Sequence, residues 1–288
     1  MQHVVTRPDP PFEAMGGALR VHMVPAAQDN LSWLAECTQT GEVAVVDGPS
    51  SEPVLAYAQV HGLHLRAVFN THTHGDHIGV NHGLARSGKL GTLRVVGAAA
   101  VAAEVPGLTE PVGEGDEVRL GAVTGEAMLT EGHIDGHISL VFGDVLFCGD
   151  TLFTAGCGRV FSGPPSKMFD SLLRLAALDG ETRVCCAHEY TQDNLRFAWS
   201  VEPDNEALAD RIRRVWAVRS EGRSAVPSTI EEERATNPFL RPGSPTLIAK
   251  VSEATGRALP TPLDVFTATR ALKDRGFYRR IPDADLPL

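Results

Sequence analysis

No apolar run in the 288-residue sequence approaches the roughly 20 residues that span a bilayer. Positive charge is also short: 26 lysines and arginines stand against 36 aspartates and glutamates, a formal net charge of −10. The first absence leaves no candidate transmembrane helix, so no membrane partner is expected. The second disfavours a nucleic-acid binder, which usually shows a basic surplus. The opening stretch, MQHVVTRPDPPFEAMGGALR, lacks the basic start and apolar core of a signal peptide, and Asp9 and Glu13 do not suit a transit peptide. Residues 1–18 read as a loosely ordered extension. Cysteine is sparse and odd in number: Cys37, Cys148, Cys157, Cys185 and Cys186, in no zinc-finger spacing. That excludes a disulfide scaffold, and a reduced, cytoplasmic, monomeric protein is expected.

What is present is ordinary in bulk, 43% hydrophobic and 22% charged residues, over a length that allows one large or two smaller domains. Residues 19–189 alternate strand-like and helix-like segments. Strands are predicted at Leu19–Pro25, Glu42–Val46, Leu65–Asn70, Leu93–Val96, Ala127–Thr130, Ile138–Phe142, Val145–Cys148 and Val184–Ala187. Vicinal Cys185 and Cys186 fall in the last of these, as small residues facing opposite sides rather than a redox pair. Helices are predicted over Val54–His61, with Ser51 as N-cap, and over Met168–Leu178. From residue 190 the texture is helical: Glu206–Arg219 is long and amphipathic, Ser228-Thr-Ile-Glu231 is a capping box, and Pro262–Asp274 is a last helix. This predicts an α+β fold, with layered sheets and covering helices over 19–189 and a helical domain over 190–288.

The strongest local signal is His72-x-His74-x-Asp76-His77, three imidazoles and a carboxylate immediately after an apolar strand. A strand end fixes the backbone while the following loop lets side chains converge. Neutral imidazole and carboxylate suit zinc, and also iron(II) or manganese. Adjacent Asp76 and His77 cannot easily point where His72 and His74 point, so two neighbouring metals are more natural than one. His133, Asp150 and His188 each follow an apolar strand and can gather on the same rim. His137, four residues beyond His133, reads as structural rather than as a ligand.

These residues, in this order, resemble the metallo-β-lactamase superfamily, and the resemblance implies its αββα sandwich. It also implies that His72, His74 and His133 hold one metal, that Asp76, His77 and His188 hold the other, and that Asp150 bridges them. Further stretches are similar to glyoxalase II, the hydroxyacylglutathione hydrolases: Gly149-Asp-Thr-Leu-Phe153, Ala155-Gly-Cys-Gly-Arg159, Ala187-His-Glu-Tyr-Thr191, Asn194-Leu-Arg-Phe-Ala198, Val201-Glu-Pro, Val226-Pro-Ser-Thr229, Asn237-Pro-Phe239 and Arg270-x-x-Lys273-Asp274. The resemblance runs from about residue 20 to 280. It implies hydrolysis of S-D-lactoylglutathione to glutathione and D-lactate by a metal-bound hydroxide, with Asp76 and Asp150 as catalytic residues and two divalent metals as cofactors. Arg159, Tyr190, Arg270 and Lys273 would then hold glutathione, whose two carboxylates suit guanidinium and ammonium groups. Within 269–280, five basic residues (Arg270, Lys273, Arg275, Arg279, Arg280) face only Asp274, a local surplus of four in an acidic protein.

Three departures from the family pattern bear on the substrate more than on the metals. Phe161 replaces a tyrosine that contacts the peptide in some members. Ile134 replaces a hydroxyl beside His133. The run Ser162-Gly-Pro-Pro-Ser also differs. Two rival readings are a glutathione persulfide dioxygenase with a single iron and a non-catalytic binding protein on the same scaffold. A complete ligand set for two metals and the long helical C-terminal part argue against the first. A degenerate scaffold should have lost ligands, and this chain has lost none, which argues against the second.

Overall fold

The computed structural model describes residues 3–288. Its first sheet has seven strands in chain order: β1 (Phe12–Ala14), β2 (Leu19–Ala26), β3 (Asn30–Cys37), β4 (Glu42–Val46), β5 (His64–Phe69), β6 (Arg94–Ala98) and β7 (Glu110–Val112). Antiparallel pairing joins β1 through β4, and parallel pairing joins β4 through β7. Next come β8 (Glu117–Leu120), β9 (Val123–Leu129), β10 (Ile138–Phe142) and β11 (Val145–Gly149), then a short hairpin of β12 (Leu152–Phe153) and β13 (Gly156–Cys157). With β14 (Arg183–Cys186) and β15 (Ser228–Thr229) they build a second sheet of order β15-β14-β11-β10-β9-β8, the hairpin standing apart.

The sheets face each other across an apolar core. Val21, Trp33, Phe69 and Val96 from the first meet Val118, Leu140, Phe142 and Phe147 from the second, and Phe69 stacks on Phe142 with ring centroids 6.1 Å apart. Helices α1 (Glu52–His61) and α2 (Gly75–Arg86) cover the outer face of the first sheet through Val54, Val80 and Leu84 against Leu34, Val45 and Val68. Helix α3 (Pro165–Ala176) buries Met168, Leu172 and Leu175 in the main core. After β14 come α4 (Thr191–Val201), α5 (Glu206–Ser220), α6 (Ile230–Thr236), α7 (Pro245–Thr255) and α8 (Pro262–Asp274). Helix α8 packs on α3 through Phe266 and Phe169, centroids 5.3 Å apart. No helix among the described residues is long and apolar enough to cross a membrane.

Several elements differ from the sequence reading; helix α2, for one, stands where a loop is expected. Strand β3 escapes a period-2 pattern because seven of its eight residues are buried, both faces being covered. The cap of α6 is Thr229, whose hydroxyl accepts from Glu232 N at 3.3 Å; Ser228 is instead the first residue of β15. Ser51 precedes α1 but makes no side-chain cap bond. The expectation of a loose extension over 1–18 needs correcting for residues 3–18, residues 1 and 2 lying outside the described ones. Phe12–Ala14 pair with β2, Val5 is buried, and Thr6 N and Arg7 N both donate to Gly222 O at 3.0 Å.

Candidate active site

Seven residues converge beyond the C-terminal ends of interior strands of the two sheets, two of them from the first turn of a helix. His72 lies in the loop leaving β5, His74 is the residue that enters α2, and Asp76 and His77 sit in that helix's first turn. The change from loop to helix turns the second pair away from the first. His133 leaves β9, Asp150 follows β11 and His188 follows β14, so the second sheet supplies the rest. One ligand atom each from His72, His74, His133 and Asp150 gathers within 4.8 Å, and so do those of Asp76, His77 and His188.

Asp150 stands between the groups. Its Oδ2 is 3.4 Å from His133 Nε2, and its Oδ1 is 3.4 Å from both His77 Nε2 and His188 Nε2. His77 Nε2 and Asp150 Oδ1 are buried, yet neither has a hydrogen-bond partner among the described residues. Buried polar atoms without partners cost folding free energy. A cation among these lone pairs would satisfy them, so the residues fit two metal ions. The same centre is crowded with imidazoles. Burial, and then neighbouring rings, hold His72 and His137 well below the ordinary histidine range. Burial also lowers His133. Such rings are neutral at physiological pH, the form that donates a lone pair to a metal. His77 goes the other way: burial is outweighed by Asp150, Asp47 and Asp76, which push it up to about 9.

His77, His188 and His133 are each aimed by a contact on the far nitrogen, as metal-binding histidines usually are. Asp47 Oδ2 accepts from His77 Nδ1 at 2.9 Å and from the Thr71 hydroxyl at 2.6 Å. Asp29 Oδ1 is 2.9 Å from His188 Nδ1. The Arg159 carbonyl accepts from His133 Nδ1 at 2.8 Å, so this histidine draws its support from the backbone and needs no hydroxyl at Ile134. Asp47 could be counted a ligand, since it groups with His72 and His77. Its oxygens are already taken by Thr71 N, the Thr71 hydroxyl and His77 Nδ1, so it orients rather than coordinates. His137 accepts from Asp150 N at 3.1 Å and holds that loop, as its sequence position suggested.

His74, Asp76, His133, Asp150 and His188 form the floor of a cleft of about 620 Å³. Arg159, Tyr190, Arg270 and Lys273 all line it, so every residue given a metal or substrate role in the sequence lines this cleft except His72 and His77, which are buried beneath. Tyr190 stacks on His188 with centroids 4.8 Å apart. Burial, and then the Asp29 and Asp150 charges, keep its phenol protonated far into alkali. Arg270 donates to Cys157 O at 3.0 Å and to Asp274 at 2.9 Å, while its buried Nε has no partner among the described residues. Lys273 donates to Asn194 and lies over Phe197 and Phe239. Burial, then the nearby Arg270 charge, pull its ammonium down to about 7.

Residues 28–188 match the model of the metallo-beta-lactamase superfamily, and residues 189–276 match the hydroxyacylglutathione hydrolase C-terminus. Hydroxyacylglutathione hydrolase of Methylococcus capsulatus is 44% identical over 259 residues, covering 89% of this chain and 98% of the relative. That of Rhodobacter capsulatus is 45% identical over 259 residues, covering 89% and 99%. The chain belongs to the hydroxyacylglutathione hydrolase family. Among solved structures, ETHE1 from Myxococcus xanthus has a TM-score of 0.55 at 26% identity, covering 91% of this chain and 98% of that one. A metallo-beta-lactamase from Staphylococcus aureus shares the fold alone, with a TM-score of 0.58 at 18% identity, covering 88% and 71%.

For a hydroxyacylglutathione hydrolase the departures noted above have visible settings. Phe161, 59% exposed, stands at the mouth of the cleft, edge-on to His74 and His133 with centroids 5.7 and 5.2 Å away. Gly158 lies where a Cβ would meet the Asp150 carbonyl at 2.0 Å, so only glycine lets this loop pass over Asp150. Asp29, Asp47 and Asn194 went unassigned in the sequence. Asp47 carried one signal, its place immediately after a strand in Val46-Asp47-Gly48; Asp29, in the β2–β3 turn, carried none.

Proposed function

We propose that the chain hydrolyses glutathione thioesters, S-D-lactoylglutathione in particular, releasing glutathione and D-lactate. The observation that carries this is the pairing in one cleft of a floor of two His/Asp clusters sharing Asp150 with a wall of Arg159, Tyr190, Arg270 and Lys273. In this reading His72, His74 and His133 bind one divalent cation, Asp76, His77 and His188 a second, and Asp150 both. Zinc is the proposed metal, with iron or manganese compatible with the same donors. Bound there, the cations would acidify water toward neutrality and polarise the thioester carbonyl.

The protein's own groups do the rest. Asp47, Asp29 and the Arg159 carbonyl keep the imidazoles oriented, and His137 fixes the Asp150 backbone. Arg159, Arg270 and Lys273 hold the carboxylates of the thiol carrier, and the protonated Tyr190 offers a hydroxyl beside the floor. No side-chain nucleophile is required. Cys157 is buried, and burial pushes its thiol up despite Arg270 and Lys273. Convergence of Asp76, His77 and His188 on a second position supports two metals over the single-iron dioxygenase reading. All five cysteines are free and buried, which supports a reducing cytoplasmic setting.

The test is hydrolysis of S-D-lactoylglutathione by purified protein, with elemental analysis of the same batch. Turnover with close to two transition metals per chain is expected. Asp150→Asn should lower occupancy and cost at least about 100-fold in kcat, since the shared ligand loses its charge. A fully active Asp150→Asn protein would overturn the assignment.

A further inference from the structure

Residues 3–9 lie ahead of the stretch matched by the superfamily model, 28–188. They form a strap bound to the helical half. Arg219 Nη2 donates to Val4 O at 2.9 Å, and Asp9 pairs with Arg223 at 2.7 Å, besides the two bonds to Gly222 O. Val5 is buried beneath it. The strap delivers one side chain to the active-site cleft, the half-buried His3, which lines it together with His188 and Tyr190.

His3 Nδ1 lies 3.0 Å from Glu189 O, and the ring stands edge-on to Tyr190 with centroids 5.7 Å apart. A carbonyl only accepts, so this contact places a proton on Nδ1 and leaves Nε2 of the neutral ring as an acceptor. Nε2 has no other partner among the described residues. The rest of the cleft is rich in donors for anions: Arg159, Arg270, Lys273 and Arg279. Its carboxylates away from the floor are engaged, Asp193 by Tyr278 and Arg279, Asp274 by Arg270. A peptide thiol such as glutathione carries two amide N–H groups and an ammonium as well as carboxylates, and these need acceptors.

We propose that His3 is a specificity-determining residue, accepting at Nε2 a hydrogen bond from an N–H of the substrate's peptide part. This rests on the glutathione-thioester reading. The contact is to the carrier and not to the reacting carbonyl, so it acts on binding and its loss falls on KM rather than kcat.

The experiment compares wild type, His3→Ala and His3→Gln on S-D-lactoylglutathione and on a small uncharged thioester of 2-mercaptoethanol, with metal content measured. His3→Ala should raise KM for lactoylglutathione by about 3- to 10-fold, the worth of one neutral hydrogen bond, and weaken inhibition by free glutathione in parallel. His3→Gln keeps a carbonyl acceptor and should recover part of the loss. The small thioester should be cleaved alike by all three. An unchanged KM in His3→Ala, or an equal loss on both thioesters, overturns the role of His3 while leaving the activity assignment standing. Wild-type protein that cleaves the small thioester but not lactoylglutathione overturns the glutathione reading and this proposal with it.

Discussion

Burial, and then the charge of Arg270 one helical turn away, bring the Lys273 ammonium from the usual lysine range to about 7. A group so placed changes charge within the working range of an enzyme, and only its protonated form attracts a carboxylate. The sign follows: below about 7 the free enzyme presents a cation, and above it a neutral amine. The ratio of kcat/KM for lactoylglutathione to that for a small uncharged thioester should therefore fall as pH rises through about 7, and should flatten in Lys273→Met. A ratio independent of pH in wild type would remove Lys273 from carboxylate binding. At this scale the sequence was informative wherever chemistry is clustered along the chain. His72 to His77 declared themselves by spacing, whereas Asp29 and Asp47 act on histidines 159 and 30 residues distant, which no local pattern reports.

The elements owe their positions to close backbone packing as much as to apolar faces. The turn after β4 docks on the first turn of α2: Gly48 N donates to His77 O at 3.0 Å and Val80 N to Gly48 O at 2.8 Å. A Cβ on Gly79 would meet Pro49 O at 2.1 Å, so the helix and the turn must part for any larger residue. Gly79→Ala should destabilise the protein by about 1–3 kcal/mol, as overpacking usually does. Because the same turn carries Asp47 to His77, it should also lower occupancy of the metal position that uses His77. Thermal melting and metal stoichiometry of the variant check both; a fully loaded variant of wild-type stability would show that the helix yields without cost. Pattern located some elements to the residue, such as Glu42–Val46 and Pro262–Asp274, which form with those bounds. It missed β3, buried on both faces, and the strap at residues 3–9, whose order comes from Arg219, Arg223 and Gly222, more than 200 residues away.

Across the whole molecule the candidate metal ligands come from both layers, from the end of β5 and α2 on one side and from the ends of β9, β11 and β14 on the other. A cation held there links the two layers and binds only the folded chain. Removing it should lower stability by RT ln(1 + [L]/Kd), about 2.7 kcal/mol per site at a hundredfold excess over Kd. For a chain of this size chelation should lower the melting temperature by roughly 5–10 °C, and restored metal should reverse it. An unchanged melting curve after complete metal removal would mean that the sandwich closes without ions. The cleft has a further consequence for how such a protein can diversify. Its floor is drawn from residues before 189, and most of its basic wall from residues after it. A lineage could therefore exchange the carrier it recognises by altering the last hundred residues and the strap, while inheriting the hydrolytic floor unchanged. Divergence in specificity would then be concentrated in the part of the chain where a misstep costs recognition but not chemistry.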